Sequence, residues 1–321
     1  MTILITGAAG FIGSHLSEHF ITLGDSVIGI DNFDNFYPVK FKQLNLSKLE
    51  GNDNFGFHKT DIRDKESLNK IFASSSIDVV IHLAAKAGVR PSIDSISEYY
   101  DVNVNGTVTL LEAMRLNGVK KLLFASSSSI YGNNQKVPFA ETDIVDNPIS
   151  PYASTKKSGE LLCHVYHHLY NFDINCLRFF TVYGPRQRPD LAVHKFIRLI
   201  DEGKPIPFYG DGNTSRDYTF IDDIIEGIDC AFNHLDGYNI YNLGESKIVS
   251  LRHLLETIEK SLNKKAILNQ LPLQPGDVTR TFADISKAKS NIGYNPNFDF
   301  ETGINEFVKW YNSNKASLYD N

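Results

Sequence analysis

The chain has 321 residues, a formal net charge of -6 and 22% charged residues. That length suits one two-lobed enzyme or two small domains with a substantial core. The acidic balance gives no electrostatic footprint for nucleic acid, and no stretch approaches the ~18–20 apolar residues of a membrane span.

Thr2-Ile3-Leu4-Ile5-Thr6 runs into glycines with no basic region and no cleavage site, so no signal peptide is expected. Cys163, Cys176 and Cys230 form no CxxC pair and read as thiols of a reducing compartment. A cytoplasmic location is expected. Ile3-Leu4-Ile5 predicts a buried strand, followed at once by Thr6-Gly7-Ala8-Ala9-Gly10-Phe11-Ile12-Gly13 and the helical pattern Phe11, Ile12, Leu16, Phe20. Glycines between a strand and a helix are the context of a dinucleotide-binding turn. Gly7 permits the turn, Gly10 lets the backbone approach a pyrophosphate, and Gly13 allows close packing of helix on strand. Ser26 to Ile30 predicts a second strand ending at Asp31 and Asn32. A carboxylate there accepts both hydroxyls of an adenosine ribose and repels a 2′-phosphate, so NAD is expected rather than NADP.

Phe55 to His58 leads to Asp61-Ile62, and Asp78 to Leu83 predicts a buried strand ending in Ala84-Ala85. Small residues at a strand's C-terminal end leave room for a ligand, and Asp61, Ile62, Leu83, Ala84 and Ala85 are candidate cofactor contacts. Tyr99 to Arg115 predicts one long helix. Lys121 to Ala125 predicts the next strand, closed by Ser126 to Ser129. Tyr152 and Lys156, four apart, share one helix face, where an ammonium can favour an ionised phenol. His164, His167 and His168 on the same helix lack a carboxylate-rich partner motif and read as a polar face rather than a metal site. Asn175 to Phe180 predicts a further strand. Beyond it the alternation breaks down into turn-rich segments, Thr181 to Arg188 and Tyr209 to Arg216, and helical stretches at 220–232, 251–261 and 302–311. Alternating strands and helices predict an α/β doubly wound parallel sheet with ligands at the strands' C-terminal ends.

A nucleotide-binding turn, a serine-ended strand and a Tyr/Lys helix in this order resemble the extended short-chain dehydrogenase/reductases that act on nucleotide-diphosphate sugars. The resemblance covers essentially the whole chain. It includes Asn103-Val104-Asn105-Gly106-Thr107, Leu177 to Pro185, Arg216-Asp217-Tyr218 and Gly276-Asp277-Val278-Thr279-Arg280-Thr281. It implies a Rossmann-type dinucleotide-binding domain over 1–180, with 217–243 returning to it, and a smaller mixed α/β substrate domain over 181–216 and 244–321. Ser127, Tyr152 and Lys156 take the catalytic places, Asn103 supports the proton path, and Phe179 lies close to the nicotinamide. Arg216 and Arg280 match diphosphate-holding arginines, while Arg90, Ser127, Ser128, Thr181 and Arg188 complete the expected substrate contacts.

Sugar 4,6-dehydratases carry Thr-Asp-Glu where this chain has Ser127-Ser128-Ser129, and UDP-glucuronate decarboxylases usually have Glu where Ser129 stands. Without either carboxylate, oxidation and reduction at C4 remain, which is 4-epimerisation. Phe180 to Pro185 followed by Arg188-Pro189-Asp190, and Leu273 to Val278, look most like UDP-glucuronate 4-epimerases. The chain departs from that pattern at Arg186-Gln187, where Trp-Gly is frequent, at Leu191, where Met is usual, and at Pro91-Ser92. The alternatives are a UDP-glucose or UDP-N-acetylglucosamine 4-epimerase, a dehydratase or decarboxylase, and a non-enzymatic NAD-binding scaffold. A homodimer through the helices near Tyr99 and Tyr152 is expected from the same resemblance. Either Arg186 or Arg188 is long enough to reach a sugar carboxylate.

Overall fold

The computed structural model describes residues 1–272 and 280–319. The predicted motif over 273–278 and the Gly276 to Thr279 part of the second motif lie outside the described residues. In chain order the first half runs β1 (Thr2–Thr6), α1 (Phe11–Thr22), β2 (Ser26–Asp31), α2 (Val39–Ser47), β3 (Phe55–Lys59), α3 (Lys65–Ser74), β4 (Val79–His82), α4 (Val89–Asp94), α5 (Ile96–Tyr100), α6 (Gly106–Leu116) and β5 (Lys121–Ser127). Then come α7 (Pro151–Tyr170), β6 (Asp173–Phe179), β7 (Thr181–Tyr183), α8 (Ala192–Asp201), β8 (Pro205–Tyr209), β9 (Ser215–Phe220), α9 (Ile221–Asn233), β10 (Tyr238–Leu243), β11 (Ile248–Ser250), α10 (Leu251–Leu262), β12 (Ile267–Leu271), α11 (Ser286–Ile292) and α12 (Phe300–Tyr319).

Among the described residues the main sheet has seven strands in the order β10-β6-β5-β4-β1-β2-β3, all paired in parallel. A parallel sheet is covered by helices on both faces, which is why its inner strands are continuous apolar runs. Side chains alternate between the faces. Ile3, Ile5, Val79 and Ile81 therefore join one core, shared with α9 and α12, while Leu4, Val80, Leu122 and Phe124 join another beneath α3, α6 and α7. Strand order reverses between β4 and β1, the crevice where ligands of such sheets bind. α9 and β10 bring the chain back to this sheet after β7 has left it, and β10 pairs with β6. β9 lies between β7 and β11 in a small sheet, and β8 pairs with β12.

The long helix expected from Tyr99 to Arg115 is interrupted. α5 ends at Tyr100, a π-helical turn spans Asp101–Asn105, and α6 resumes at Gly106. The wider turn lets Asn103 face inward, where its amide takes partners from two other segments. Such single-turn bulges recur at functional sites. Gly106 sits against Ile62, whose Cδ1 lies 2.7 Å from where a Cβ would stand.

α7 begins where its sequence dictates. Ser150 accepts a hydrogen bond from Ala153 N at 3.2 Å, and Pro151 occupies the first turn. That start sets Tyr152 at the helix's open end. Two of the three histidines of α7 serve the fold: His167 Nδ1 bonds Phe172 O at 2.7 Å and His164 packs edge-on to Tyr238, while His168 is exposed. The three cysteines carry free thiols. No described helix is long and apolar enough to cross a membrane.

Candidate active site

A cavity of about 390 Å³ opens at the C-terminal ends of β1, β2, β4, β5 and β6. Its floor is the glycine loop. Gly7 N donates to Ile30 O at 2.7 Å and holds φ at 75°; a Cβ at Gly7 would stand 3.0 Å from Ala84 N, and one at Gly13 only 2.2 Å from Gly7 O. Only hydrogen fits at these places, so α1 seats directly on the loop with its N-terminus toward the cavity. Gly10, Phe11 and Ile12 complete this wall. A main-chain cradle at a helix N-terminus, with an acid at the end of the next strand, fits a dinucleotide.

Asp31 is buried at the tip of β2, where its Oδ1 accepts from Phe33 N at 2.8 Å and pairs with Lys42 Nζ at 3.1 Å. Lys42, on α2, lines the cavity too. Nothing in the sequence distinguished Lys42 from Lys40, because the inward face of a short, weakly patterned helix is set by packing alone. Asn32 donates to Asp61 at 2.9 Å. Hydrogen bonds from Arg63, then from its backbone and Asn32, outweigh burial and hold the Asp61 carboxyl down to about 2. Ile62, Leu83, Ala84 and Ala85 line the same end, with Ala84 N donating to Thr6 Oγ1 at 3.2 Å.

Ser127, Tyr152 and Lys156 converge at the other end. The β5–β6 register sets Ser127 beside Phe179, which also lines the wall. Lys156 Nζ donates to Ala125 O at 2.7 Å and stands 6.0 Å from the Tyr152 ring centre. Burial pushes the Tyr152 phenol up; interaction with the Ser127 hydroxyl and the Arg188 charge pulls it back. Burial also lowers Lys156 to about 8. In this structure the Lys156 ammonium is turned to the Ala125 carbonyl, and burial is the largest influence on both groups.

Asn103 does not line the cavity. Its side chain spans Lys86 N at 2.8 Å, Lys86 O at 3.0 Å and Thr155 Oγ1 at 3.0 Å, which braces the loop after β4 against α7. Ser128 likewise stands outside the wall, opening a short 3-10 turn with Ser129, whose buried hydroxyl lacks a hydrogen-bond partner. The carboxylates lining the cavity, Asp31, Asp34 and Asp61, come from the segments that end or follow β2 and β3.

Thr181 and Arg188 close the cavity on the substrate side. Arg188 lies 4.9 Å from the Phe36 ring centre and grips Asp190 through Nε at 3.0 Å and Nη2 at 2.6 Å. Arg186 points the other way, to Glu18 on α1 at 2.8 Å. Arg90 stacks 4.9 Å from the Tyr209 ring centre. Arg216 Nη1 donates to Ser215 O at 2.9 Å, and Arg280 forms a bridge with the same Ser215, so the fold brings these two arginines to one strand end. None of Arg90, Arg216 and Arg280 lines the cavity itself. Asp34, Phe36, Tyr37 and Lys86 do line it and were missed, having no glycine or motif signal of their own.

A Rossmann-type sheet, a glycine cradle and a Ser/Tyr/Lys cluster in one cavity define an extended short-chain dehydrogenase/reductase. The chain belongs to the GDP-mannose 4,6 dehydratase family, whose model matches residues 4–307. It is 46% identical over 312 residues to a UDP-glucuronate 4-epimerase of Thermodesulfobacterium geofontis, covering 97% of this chain and 96% of that one. The crystal structure of UDP-glucuronic acid 4-epimerase from Bacillus cereus in complex with UDP-glucuronic acid and NAD is 40% identical, with a TM-score of 0.92 over 98% of this chain and 99% of that chain. A UDP-glucose 4-epimerase from Thermotoga maritima, solved with UDP-glucose, is 32% identical with a TM-score of 0.90, covering 98% and 100%.

Proposed function

We propose that this protein is an NAD-dependent 4-epimerase that interconverts UDP-glucuronate and UDP-galacturonate through a 4-keto intermediate. The observation that carries the reading is one cavity holding Tyr152, Ser127 and the Arg188 guanidinium, with no carboxylate side chain in the serine run Ser126 to Ser129. Its relatives of known name support the same reaction. Bound NAD supplies the hydride acceptor for C4 and an added positive charge. The glycine cradle and Asp31 hold it, with Lys156 at the nicotinamide ribose. Tyr152 removes the proton of the C4 hydroxyl and returns it after the 4-keto sugar has turned over; Ser127 donates to the C4 oxygen.

Arg188 reads the sugar carboxylate. Oxidising C4 of a glucuronate creates a β-keto acid that tends to lose CO2, and a guanidinium holding the carboxylate disfavours alignment of the breaking bond with the carbonyl. Asp190 already occupies Arg188, so the substrate carboxylate has to compete for it. Arg216 and Arg280 hold the diphosphate, with Arg90 nearby, and the part formed by 181–216 and 244–319 closes over the sugar. If Asp190 keeps the guanidinium, a neutral UDP-hexose is the substrate instead. Incubation with UDP-glucuronate, UDP-glucose and UDP-N-acetylglucosamine, with products identified by NMR, separates these readings.

The protein acts as a homodimer in the cytoplasm on this account. Leu161, Val165 and Leu169 form an apolar stripe along α7 that is 56%, 45% and 58% exposed in the single chain. A stripe of that kind favours a helix-to-helix contact with a second copy. Light scattering on the purified protein at micromolar concentration should return twice the chain mass.

A further inference from the structure

Arg186 and Gln187 stand between the turn at Gly184 and the Arg188 side chain, and neither lines the cavity. The turn closes from Gln187 N to Gly184 O at 3.1 Å, and Arg186 takes its third place with φ at 67°. That place suits glycine, so a side chain there stores backbone strain and persists only where its surroundings over-determine it. The surroundings are on another element. Arg186 Nη2 reaches both Glu18 carboxylate oxygens at 2.8 Å, and Nη1 reaches Ser14 Oγ at 3.3 Å, both on the helix that opens onto the dinucleotide. One guanidinium nitrogen thus serves both carboxylate oxygens in charge-assisted contacts while the other reaches the serine, so two residues of α1 hold the side chain.

Gln187 is held as tightly from two further sides. Its Nε2 donates to Val182 O at 2.8 Å and its Oε1 accepts from His194 N at 3.2 Å. Its main-chain carbonyl meets His194 Nδ1. A carbonyl only accepts, so the proton is on Nδ1, leaving Nε2 to accept from Tyr319 OH at 2.9 Å on α12. Burial lowers His194 to about 4, so the neutral tautomer that fits both bonds is the one present near neutrality. The two residues before Arg188 are thus tied to α1, to β7 and α8, and through His194 to α12.

We propose that Arg186 and Gln187 are positioning residues: a buckle that sets the place of the Arg188 guanidinium relative to the dinucleotide-binding helix. The inference rests on Arg188 reading the substrate carboxylate. A long side chain that must hold a carboxylate out of line for decarboxylation needs its main chain fixed, since small misplacements cost much of the benefit. Glutamate 18 is partly exposed and remote from the loop in sequence, so removing its charge loosens the buckle without altering the loop.

The test is a cycle on the NAD-loaded enzyme with Glu18→Gln, Gln187→Ala and Arg188→Ala. Glu18→Gln and Gln187→Ala should each raise KM for UDP-glucuronate by roughly fivefold, increase the UDP-pentose released, and leave bound NAD and any UDP-glucose turnover unchanged. In the Arg188→Ala background the same changes should add nothing, because the buckle acts through Arg188. Equal fold losses with and without Arg188 would overturn the buckle while leaving the role of Arg188 intact. An Arg188→Ala variant that weakens both sugars alike would overturn the reading of Arg188, and the buckle with it. Glu18→Gln acting alone keeps the test valid should Gln187→Ala fail to fold.

Discussion

The dinucleotide end of the cavity is walled largely by main chain and small residues, whereas the substrate end depends on long side chains that hold one another. At the first, a Cβ at Gly7 would crowd the Ala84 main chain and one at Gly13 would collide with the Gly7 carbonyl, and the geometry is set by β1, α1 and β4 themselves. At the second, Arg188 lines the cavity gripped by Asp190, and outside the wall Arg186 is held by Glu18 and Arg90 by the Tyr209 ring. The first kind of wall is preformed. The second is internally satisfied and has to exchange partners when a ligand arrives, which gives selectivity at the cost of rigidity.

Between these ends sits Tyr152, and its loss should have the largest effect. Tyr152→Phe keeps the ring and removes the ionisable hydroxyl, so turnover should fall at least ~100-fold, while bound nucleotide, read by mass spectrometry after denaturation, stays at the wild-type level. Near-normal turnover would place the base elsewhere.

Next in size is Arg188→Ala, which acts chiefly through the sugar carboxylate. Loss of a charge-assisted bond should reduce UDP-glucuronate turnover by roughly 10- to 100-fold and release some UDP-pentose, with far less effect on any UDP-glucose turnover. Equal losses on both sugars remove the contrast between the two ends.

A smaller effect tests the dinucleotide end. Asp31→Asn leaves the Lys42 ammonium without its carboxylate, so NADP should appear beside NAD among the nucleotides released on denaturation. NAD as the sole nucleotide would show that the ribose is read by other groups.

The smallest expected effect is on stability. Lys156 is lowered by burial from 10.5 to about 8, so its ammonium destabilises the fold by roughly 3 kcal/mol, less ~1 for the Ala125 bond it makes. Lys156→Met should raise the melting temperature of the NAD-free protein at pH 6.5. Because the folded value is depressed, the penalty is fully present below pH about 8 and fades toward 10.5. The gap between variant and wild type should therefore shrink at pH 9.5; a gap constant with pH would mean that the lysine keeps its ordinary proton affinity in the fold.

The same contrast decides what the sequence made legible. Glycines, an acid at a strand end and small residues at strand tips report main-chain geometry directly, so the dinucleotide wall could be read residue by residue. β1, β2, β4, β5 and β6 followed for the same reason, as apolar runs, whereas β7 to β12 were not read as strands, and β7 lies in a segment read as turn-rich. Lys42 could not be read, because helical rotation of α2 is fixed only by what it packs against. The interruption at Asp101–Asn105 was hidden because the apolar spacing on either side of a one-turn bulge still looks helical. Asn103 was visible as a motif, yet its work as a brace depends on Thr155 and Lys86, distant in sequence. The opposed directions of Arg186 and Arg188 are a matter of φ at one residue, which no residue count discloses.

The most direct measurement follows the hydrogen at C4. UDP-glucuronate carrying deuterium at C4 and incubated with the purified protein in ordinary water should give UDP-galacturonate that keeps the deuterium at C4, because the atom leaves and returns within one closed site. Protium at C4 of the product, or a product other than UDP-galacturonate, would contradict the account.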